Sequence, residues 1–463
     1  MNFDNINNIY FIGIGGIGMS ALARYFKAIG KNVSGYDKTQ TPLTNELVAE
    51  GIDIHFKDNV ELIPANVKQQ TSNIVIVYTP AIPSSHSELA YFREHNYTIK
   101  KRSEILGALT EQAYTIAVAG THGKTTVSSM IAHILQYSGR KCTAFLGGIT
   151  KNYNSNLLLP SPISPPLSPG SRPLVVVEAD EYDRSFLTLH PDVAVITSMD
   201  PDHLDIYGDR EQMEESYRLF AKQLKYGGRL FAKQGTGFTE RCTTYSVSEP
   251  AKYGIKNIRV AAHQHIFDMV GPVENLSDLQ LGLPGIHNIE NAVAAVAVAQ
   301  YMEIPGSKIR EALATYKGVR RRFDCQVQGE NVTYIDDYAH HPEELKACIN
   351  SVRGLYPGKK ITGIFQPHLF SRTRDFADSF GEALALLDEL ILLDVYPARE
   401  LPIDGVSSKL ILDKVAISNK MICSKEQTLQ EVSRRYTEVL LTLGAGDIDQ
   451  LVEPIKNILL KKI

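Results

Sequence analysis

An α/β protein of about three domains is what the sequence predicts, on three observations. Short β-branched runs alternate with helix-like stretches, two of those runs pass directly into glycine-rich turns, and the 463 residues amount to roughly three domains of about 150. Hydrophobic residues at 43% and charged residues at 22% suffice for buried cores and exclude wholesale disorder. The formal net charge of −4 excludes a dominant polyanion-binding role, so no nucleic-acid partner is expected. The five cysteines, Cys142, Cys242, Cys325, Cys348 and Cys423, form no C-x-x-C pair, which argues against a disulfide framework or a zinc ribbon. The start, Met1-Asn2-Phe3-Asp4-Asn5, lacks a basic segment followed by an apolar one, and no apolar run approaches the ~18 residues that span a bilayer. A cytoplasmic protein without membrane insertion is the expectation.

The first domain opens with Ile9-Tyr10-Phe11-Ile12, a strand ending at a glycine turn. A helix over Met19 to Ile29 with Gly30 as its stop follows, then strands at Asn32–Tyr36 and Ile74–Tyr78, the latter ending at Thr79-Pro80. A second block starts with the strand Tyr114–Ala119 and a helix from Val127 to Tyr137, and its buried strands recur at Leu174–Val177 and Val193–Ile196. Between them, residues 159–170 are too proline-rich for a helix or central strand and read as an exposed excursion with no catalytic role. The Ala/Val-rich stretch Asn291 to Tyr301 predicts a buried helix. Past the basic cluster Arg320-Arg321-Arg322, strands at Val332–Ile335, Ile361–Phe365 and Leu390–Leu393 define a third block. Boundaries fall near 110 and 318, giving domains 1–110, 111–317 and 318–463.

The first turn is Gly13-Ile14-Gly15-Gly16-Ile17-Gly18, a G-x-G-x-x-G between strand and helix. Such a turn lets a diphosphate approach backbone N–H groups at a helix N-terminus, and Asp37 stands at the distance of an acidic ribose contact. NAD or FAD, the diphosphate of a UDP-sugar, or a tight turn with no ligand all satisfy this pattern. The second turn, Gly120-Thr121-His122-Gly123-Lys124-Thr125-Thr126, is a shortened phosphate loop, with Val118 where the longer pattern has glycine. Its N–H groups can cradle phosphates, Lys124 can neutralise the β/γ oxygens, and the Thr125 hydroxyl can reach Mg²⁺. Glu178-Ala179-Asp180-Glu181 follows an apolar strand. Glu178, first off that strand, is the candidate Mg²⁺ carboxylate, while Glu181 and Asp183 suit a solvated turn. His203 is either a metal ligand or a plain hydrogen-bonding group. Asn288 and Asn291, three apart, share a helical face, where their amides either pair with an adenine edge or cap the helix.

Taken together, the segments GIGGIGMSALA from Gly13, GTHGKTT from Gly120, EADEYDRSF from Glu178, HNIENA from His287 and RRRFD from Arg320 resemble the Mur ligase family, the ATP-dependent amide ligases of peptidoglycan precursor synthesis. DDYAHHPEE from Asp336, FQPHLFSRTRD from Phe365, DVYPARE from Asp394 and GAGDI from Gly444 extend the likeness over nearly the whole chain. The resemblance implies an N-terminal Rossmann-like UDP-binding domain, a central P-loop-type ATP-binding domain and a C-terminal Rossmann-like domain for the incoming amino acid. Substrates would be UDP-N-acetylmuramate, L-alanine and ATP, with two Mg²⁺ ions, in a monomer or homodimer. A murein-peptide recycling ligase of the same family is the nearest competitor, and an NAD-dependent oxidoreductase the alternative from another class.

The resemblance gives Gly13, Gly15, Gly16, Gly18, Asp37 and Thr79 to the UDP-substrate site. It gives Gly120 to Thr126 with His287, Asn288, Asn291 and Arg322 to ATP, and Thr125, Glu178 and His203 to metal. Tyr338, His340 and Arg372 become alanine-site residues, with Arg372 holding the carboxylate, and Arg399 and Asp404 line the cleft. Many family members carry a second arginine three residues before Arg372. Here that position is Leu369, and Arg374 or His368 is the candidate substitute. His340 would steer alanine or help remove a proton from its ammonium. Three substrates on three domains imply closure of the C-terminal domain. Without the resemblance, Arg320 to Arg322 read as a solvated basic face.

Overall fold

The computed structural model describes residues 1, 3–69, 72–160, 172–202, 204–239, 242–261, 264–398 and 400–462. They form two compact units. The first comprises residues 1–255, 269–276 and 291–313, and the second residues 256–268, 277–290 and 314–463.

The first unit holds two sheets. Strands β1 (Asn8–Ile12), β2 (Asn32–Tyr36), β3 (Asp53–His55), β4 (Ile74–Tyr78) and β5 (Ile99–Lys101) run parallel in the order β3-β2-β1-β4-β5. This order reverses direction at β1, whose C-terminal end carries the first glycine turn, as the switch-point rule for open α/β sheets requires. The second sheet contains β6 (Tyr114–Ala119), β7 (Thr143–Thr150), β8 (Ser155–Leu158), β9 (Leu174–Glu178), β10 (Val193–Ile196), β11 (Arg229–Lys233) and β12 (Cys242–Tyr245). Its order is β12-β11-β10-β6-β9-β7-β8, parallel except for the β7–β8 hairpin. Val176, Val177 and all of β10 are buried, as unbroken β-branched runs must be when helices cover both faces. The turns after β6, β9 and β10 consequently share one edge of the sheet.

In the second unit, β13 (Gly254–Ala261), β14 (Gln264–Val270) and β15 (Leu276–Gln280) make a small sheet, most of whose residues belong to this unit. The larger sheet has β16 (Asp324–Gln328), β17 (Thr333–Asp337), β18 (Ile361–Phe365), β19 (Glu389–Leu392), β20 (Asn419–Ile422) and β21 (Val439–Leu443) in the order β16-β17-β21-β18-β19-β20. Only β16 is antiparallel. The helix Pro342–Leu355 starts as expected, with Pro342 in its first turn, and Glu344 accepts the N–H groups of His340 and His341.

Three helices begin earlier than the sequence pattern indicates. The first spans Ile17–Ala28, the second Lys124–Tyr137, so Lys124 itself opens it, and the third Ile286–Tyr301, so His287 and Asn288 lie within it ahead of Asn291. Apolar periodicity misses the first turns of the second and third because buried polar residues, Thr125 and Thr126 in one and Asn288 in the other, stand in them. Residues 161–171 of the proline-rich excursion lie outside the described residues.

One buried cluster of the first unit carries a titratable carboxyl. Glu88, fully inaccessible, accepts the Tyr10 hydroxyl at 2.7 Å and lies 3.3 Å from His55 Nε2. Burial pushes its carboxyl up to about 7. A raised native value means the folded chain binds more protons than the unfolded one between about 4.5 and 7, so stability falls as pH rises through that window. Glu88→Gln should remove this slope. From pH 5 to pH 8, wild type should lose about 2 kcal/mol more than the variant. Urea midpoints followed by circular dichroism at both pH values test this, and parallel shifts in the two proteins would refute it.

Candidate functional site

In the first unit, the two glycine turns are built differently. The first is closed by Asp37. Gly15 N–H donates to Asp37 Oδ2 at 2.7 Å and Thr39 N–H to Oδ1 at 3.0 Å, so both oxygens brace the loop. Asp37, the acidic residue expected near a ribose, thus also holds its own loop in place. Gly13 has φ +87°, and a Cβ there would lie 2.7 Å from Thr79 Cγ2, which puts Thr79 against this turn. A Cβ on Gly15 would meet Asp37 and Thr44, whereas Gly16 has no neighbour closer than 3.6 Å. The helix Ile17–Ala28 starts at Gly16 with no side-chain cap, leaving its first N–H groups turned to the loop.

The second turn needs its glycines for sterics. Gly120 and Gly123 have φ of +134° and +81°. A Cβ on Gly120 would collide with the Thr197 hydroxyl, and one on Gly123 would come 2.6 Å from Asn291 Oδ1. Asn291 therefore stands beside the phosphate turn. Neighbouring strand ends hold the loop open. Thr121 Oγ1 donates to Asp200 O at 2.7 Å, His122 N–H to Ser198 Oγ at 2.8 Å, and the Thr197 hydroxyl to His122 O. Thr125 and Thr126 are buried at the helix start.

Lys124 is the charge of this turn. Its ammonium donates to Gly120 O at 2.7 Å and pairs with Glu181 at 2.8 and 2.9 Å. Burial works against the charge, but Glu181, Glu178 and Asp180 outweigh it and hold Lys124 above the usual lysine range. Glu181, expected on a solvated turn, is instead buried at 3% exposure. Its position four residues past an apolar strand end was the only signal, and no local pattern separates a solvated acid there from one folded back onto a distant lysine. Glu178 is the last residue of β9 rather than the first beyond it, opposite Val118 of β6, and its carboxylate accepts Gly147 N–H at 3.1 Å.

Hydroxyl and carboxylate oxygens are the ligands a hard cation takes, and Thr125 at the helix start and Glu178 at the end of β9 carry such groups on this edge of the sheet. Among the described residues no group of three or more His, Cys, Asp or Glu side chains gathers as a metal cluster. His203 lies outside the described residues, as does Arg399.

In the second unit, a run of planar groups connects the residues singled out from the sequence. The Arg322 guanidinium lies 4.8 Å over the Tyr338 ring, Tyr338 packs edge-on to His340 at 5.3 Å, and His340 meets His368 at 5.9 Å. His368 Nδ1 in turn is 3.4 Å from Arg372 Nη1. Arg321 also covers Tyr338, at 5.2 Å, and donates to Asp336 and Gly444 O. The expected solvated basic face is thus absent at Arg321 and Arg322, because cation–π contact and a buried carboxylate hold both inward.

His340 Nδ1 lies 2.9 Å from Tyr338 O and 3.2 Å from Glu344 Oε2. Two acceptors at Nδ1 favour the proton there and leave the lone pair on Nε2. Arg372 is buried at 6% exposure. Of the two candidate substitutes for a second arginine, His368 touches it, while Arg374 pairs with its neighbour Asp375 in solvent. Leu369 itself has φ +73° and caps the helix Phe370–Asp375. Asp404 is exposed.

His287 and Asn288 belong to this unit too. His287 Nδ1 is 3.0 Å from Ser351 Oγ, and burial pushes its imidazole down to about 4, so it is neutral at physiological pH. Asn288 Nδ2 donates to Pro284 O at 2.7 Å, a local bond at the helix start. Sequence reasoning missed Glu181, Arg102, Glu344 and Thr197. Only Glu181 carried a signal.

Comparison with known proteins agrees with this geometry. Residues 8–114 match "Mur ligase family, catalytic domain", 118–299 "Mur ligase middle domain" and 321–447 "Mur ligase, glutamate ligase domain". The UDP-N-acetylmuramate–L-alanine ligase of Flavobacterium johnsoniae is 50% identical over 464 residues, covering 100% of both chains. That of Parabacteroides distasonis is 51% identical, covering 100% of this chain and 99% of its own. The crystal structure of the UDP-N-acetylmuramate–alanine ligase from Thermotoga maritima superposes with a TM-score of 0.81 at 26% identity, over 98% of this chain and 100% of that one. A murein peptide ligase from Psychrobacter arcticus shares the fold, with a TM-score of 0.69 at 18% identity over 97% and 99% of the two chains.

Proposed function

The chain belongs to the Mur ligase family, and on that premise we propose that it joins L-alanine to the lactyl carboxylate of UDP-N-acetylmuramate at the expense of ATP. We assign residues 1–110 to the nucleotide sugar, 111–317 to ATP and 318–463 to the amino acid. Such an enzyme works where its nucleotide substrates are made, in the cytoplasm. No helix among the described residues is long and apolar enough to cross a membrane.

An amide cannot form from a carboxylate in water without a better leaving group than hydroxide. The lactyl carboxylate attacks the γ-phosphorus of ATP, forming an acyl phosphate and releasing ADP. The alanine amine then attacks the acyl carbon and expels inorganic phosphate. Lys124, held at the mouth of its turn by Gly120 O and Glu181, neutralises the transferring group, and the turn's N–H groups orient it. Thr125 and Glu178 would hold Mg²⁺, which supplies charge neutralisation on the phosphates when bound. Arg372 would take the alanine carboxylate, leaving the amine free, and His340 Nε2 is available to remove its proton. No nucleophilic side chain enters.

The observation that carries this reading is that one chain holds both a buried phosphate-turn ammonium and, in its second unit, a run of rings ending on a buried arginine. Phosphate release is the test, with UDP-N-acetylmuramate and ATP present and each amino acid added singly. Release should depend on alanine, and ¹⁸O in the sugar carboxylate should appear in the phosphate. Alanine-independent release, or phosphate free of label, would refute the proposal.

A further inference from the structure

Arg102 belongs to none of the sequence motifs, yet it joins the first glycine turn to the acid turn after β9. It opens the helix Arg102–Glu111. Its guanidinium lies against Gly18, the last glycine of the first turn, where a Cβ would stand 2.8 Å from Nη1 and 3.3 Å from Cζ. Its Nη2 donates to Asp180 Oδ2 at 2.9 Å. Asp180 Oδ1 accepts Tyr182 N–H at 3.1 Å, which fixes this carboxylate in the same turn as Glu181, the partner of Lys124. One side chain therefore spans from the first glycine turn to the acid turn that grips the phosphate-loop lysine.

A guanidinium offers five N–H donors, and this side chain is 20% exposed, with Nη1 on the side of Gly18 and Nη2 on Asp180. The Nη1 side adjoins the uncapped start of the helix Ile17–Ala28, which itself favours an anion. The neighbouring Lys101 is directed elsewhere, to Asp183 at 2.9 Å.

We propose that Arg102 binds an oxyanion of the nucleotide-sugar acid on the first turn, with Asp180 orienting it. This contact sets where the acid lies relative to the phosphate loop. The inference rests on the first turn being the nucleotide-sugar site. Two groups of that substrate have the matching chemistry, the diphosphate and the lactyl carboxylate, and a guanidinium pairs with either in a two-pronged bond.

Calorimetric titration separates these groups, using UDP-N-acetylmuramate and UDP-N-acetylglucosamine, which has the diphosphate without the lactyl carboxylate. Arg102→Gln should weaken binding by about ten- to hundredfold, with Arg102→Lys between it and wild type. Loss with both sugars assigns the diphosphate, and loss with the muramate alone assigns the carboxylate. Gly18→Ala keeps an ordinary helical backbone but displaces the guanidinium, so it should weaken nucleotide-sugar binding without lowering Tm. The ATP KM should stay within about twofold in all three variants. Unchanged Kd for both sugars in Arg102→Gln and Gly18→Ala overturns the proposal. Binding is read without turnover, so a wild type that binds the muramate but fails to ligate alanine would sink the functional reading and leave this one standing. A wild type that binds neither sugar sinks both.

Discussion

Replacing Lys124 with methionine should abolish ligation while leaving a chain that can be rescued structurally but not catalytically. The ammonium sits where charge develops on the transferring phosphoryl group, and donors of that kind are worth about 10³-fold or more in kcat. The same substitution strands Glu181. That carboxylate is buried, and among the described residues it pairs with Lys124 at 2.8 Å. Removing one member of a buried pair costs about 3–5 kcal/mol, because the remaining charge has neither water nor a counter-ion. Lys124→Met alone should therefore be both inactive and less stable. Lys124→Met with Glu181→Gln should recover most of the lost stability, since a neutral amide no longer carries the desolvation penalty, and recover none of the activity. Alanine-dependent ADP release and the urea midpoint by circular dichroism measure the two effects separately. Near-normal release from either variant would remove Lys124 from the phosphate site.

What the sequence made legible divides along a physical line. Both glycine turns could be read because their requirements are local: a strand, a backbone with φ beyond the reach of L side chains at Gly120 and Gly123, and a helix. The end-to-end family likeness similarly rests on contiguous segments. Asp37 shows the limit. Its spacing from Gly13 suits a ribose contact, but whether a carboxylate also braces its own loop depends on where Gly15 N–H points, and it points at Asp37. The partners of Glu181 and Arg102 were not legible for a related reason. Each acts through a partner 57 or 78 residues away, and charge alone does not reveal which acids and bases of a chain meet. Without the resemblance the Arg320 to Arg322 run reads as a solvated face, because a cluster of like charges usually is one. Here Tyr338 supplies a ring face for Arg321 and Arg322, and Asp336 a buried counter-charge for Arg321.

Arg372→Ala should raise the alanine KM by about a hundredfold and leave the nucleotide-sugar and ATP KM values near wild type. The guanidinium is buried beyond its neighbours' reach for solvent, so the carboxylate it takes exchanges water for charge-assisted bonds of full strength. Position 369 holds leucine in this chain and Arg374 pairs with Asp375, so no arginine three residues before Arg372 shares the carboxylate with it. Its second contact must come from elsewhere, and His368 is the side chain that touches Arg372, braced by near-parallel stacking on Tyr396 at 5.7 Å. The expected signature is a split. Arg372→Ala loses alanine affinity, with kcat at saturating alanine within about tenfold of wild type, because the acyl phosphate is made without it. His368→Ala should give a smaller KM rise, of about fivefold to tenfold, since it removes a neutral ring and a brace rather than the charge. The combined variant should be little worse than Arg372→Ala, the two acting as one unit. An alanine KM unchanged in Arg372→Ala would take the carboxylate site away from this helix altogether. Fully additive losses would mean that His368 meets the substrate on its own account.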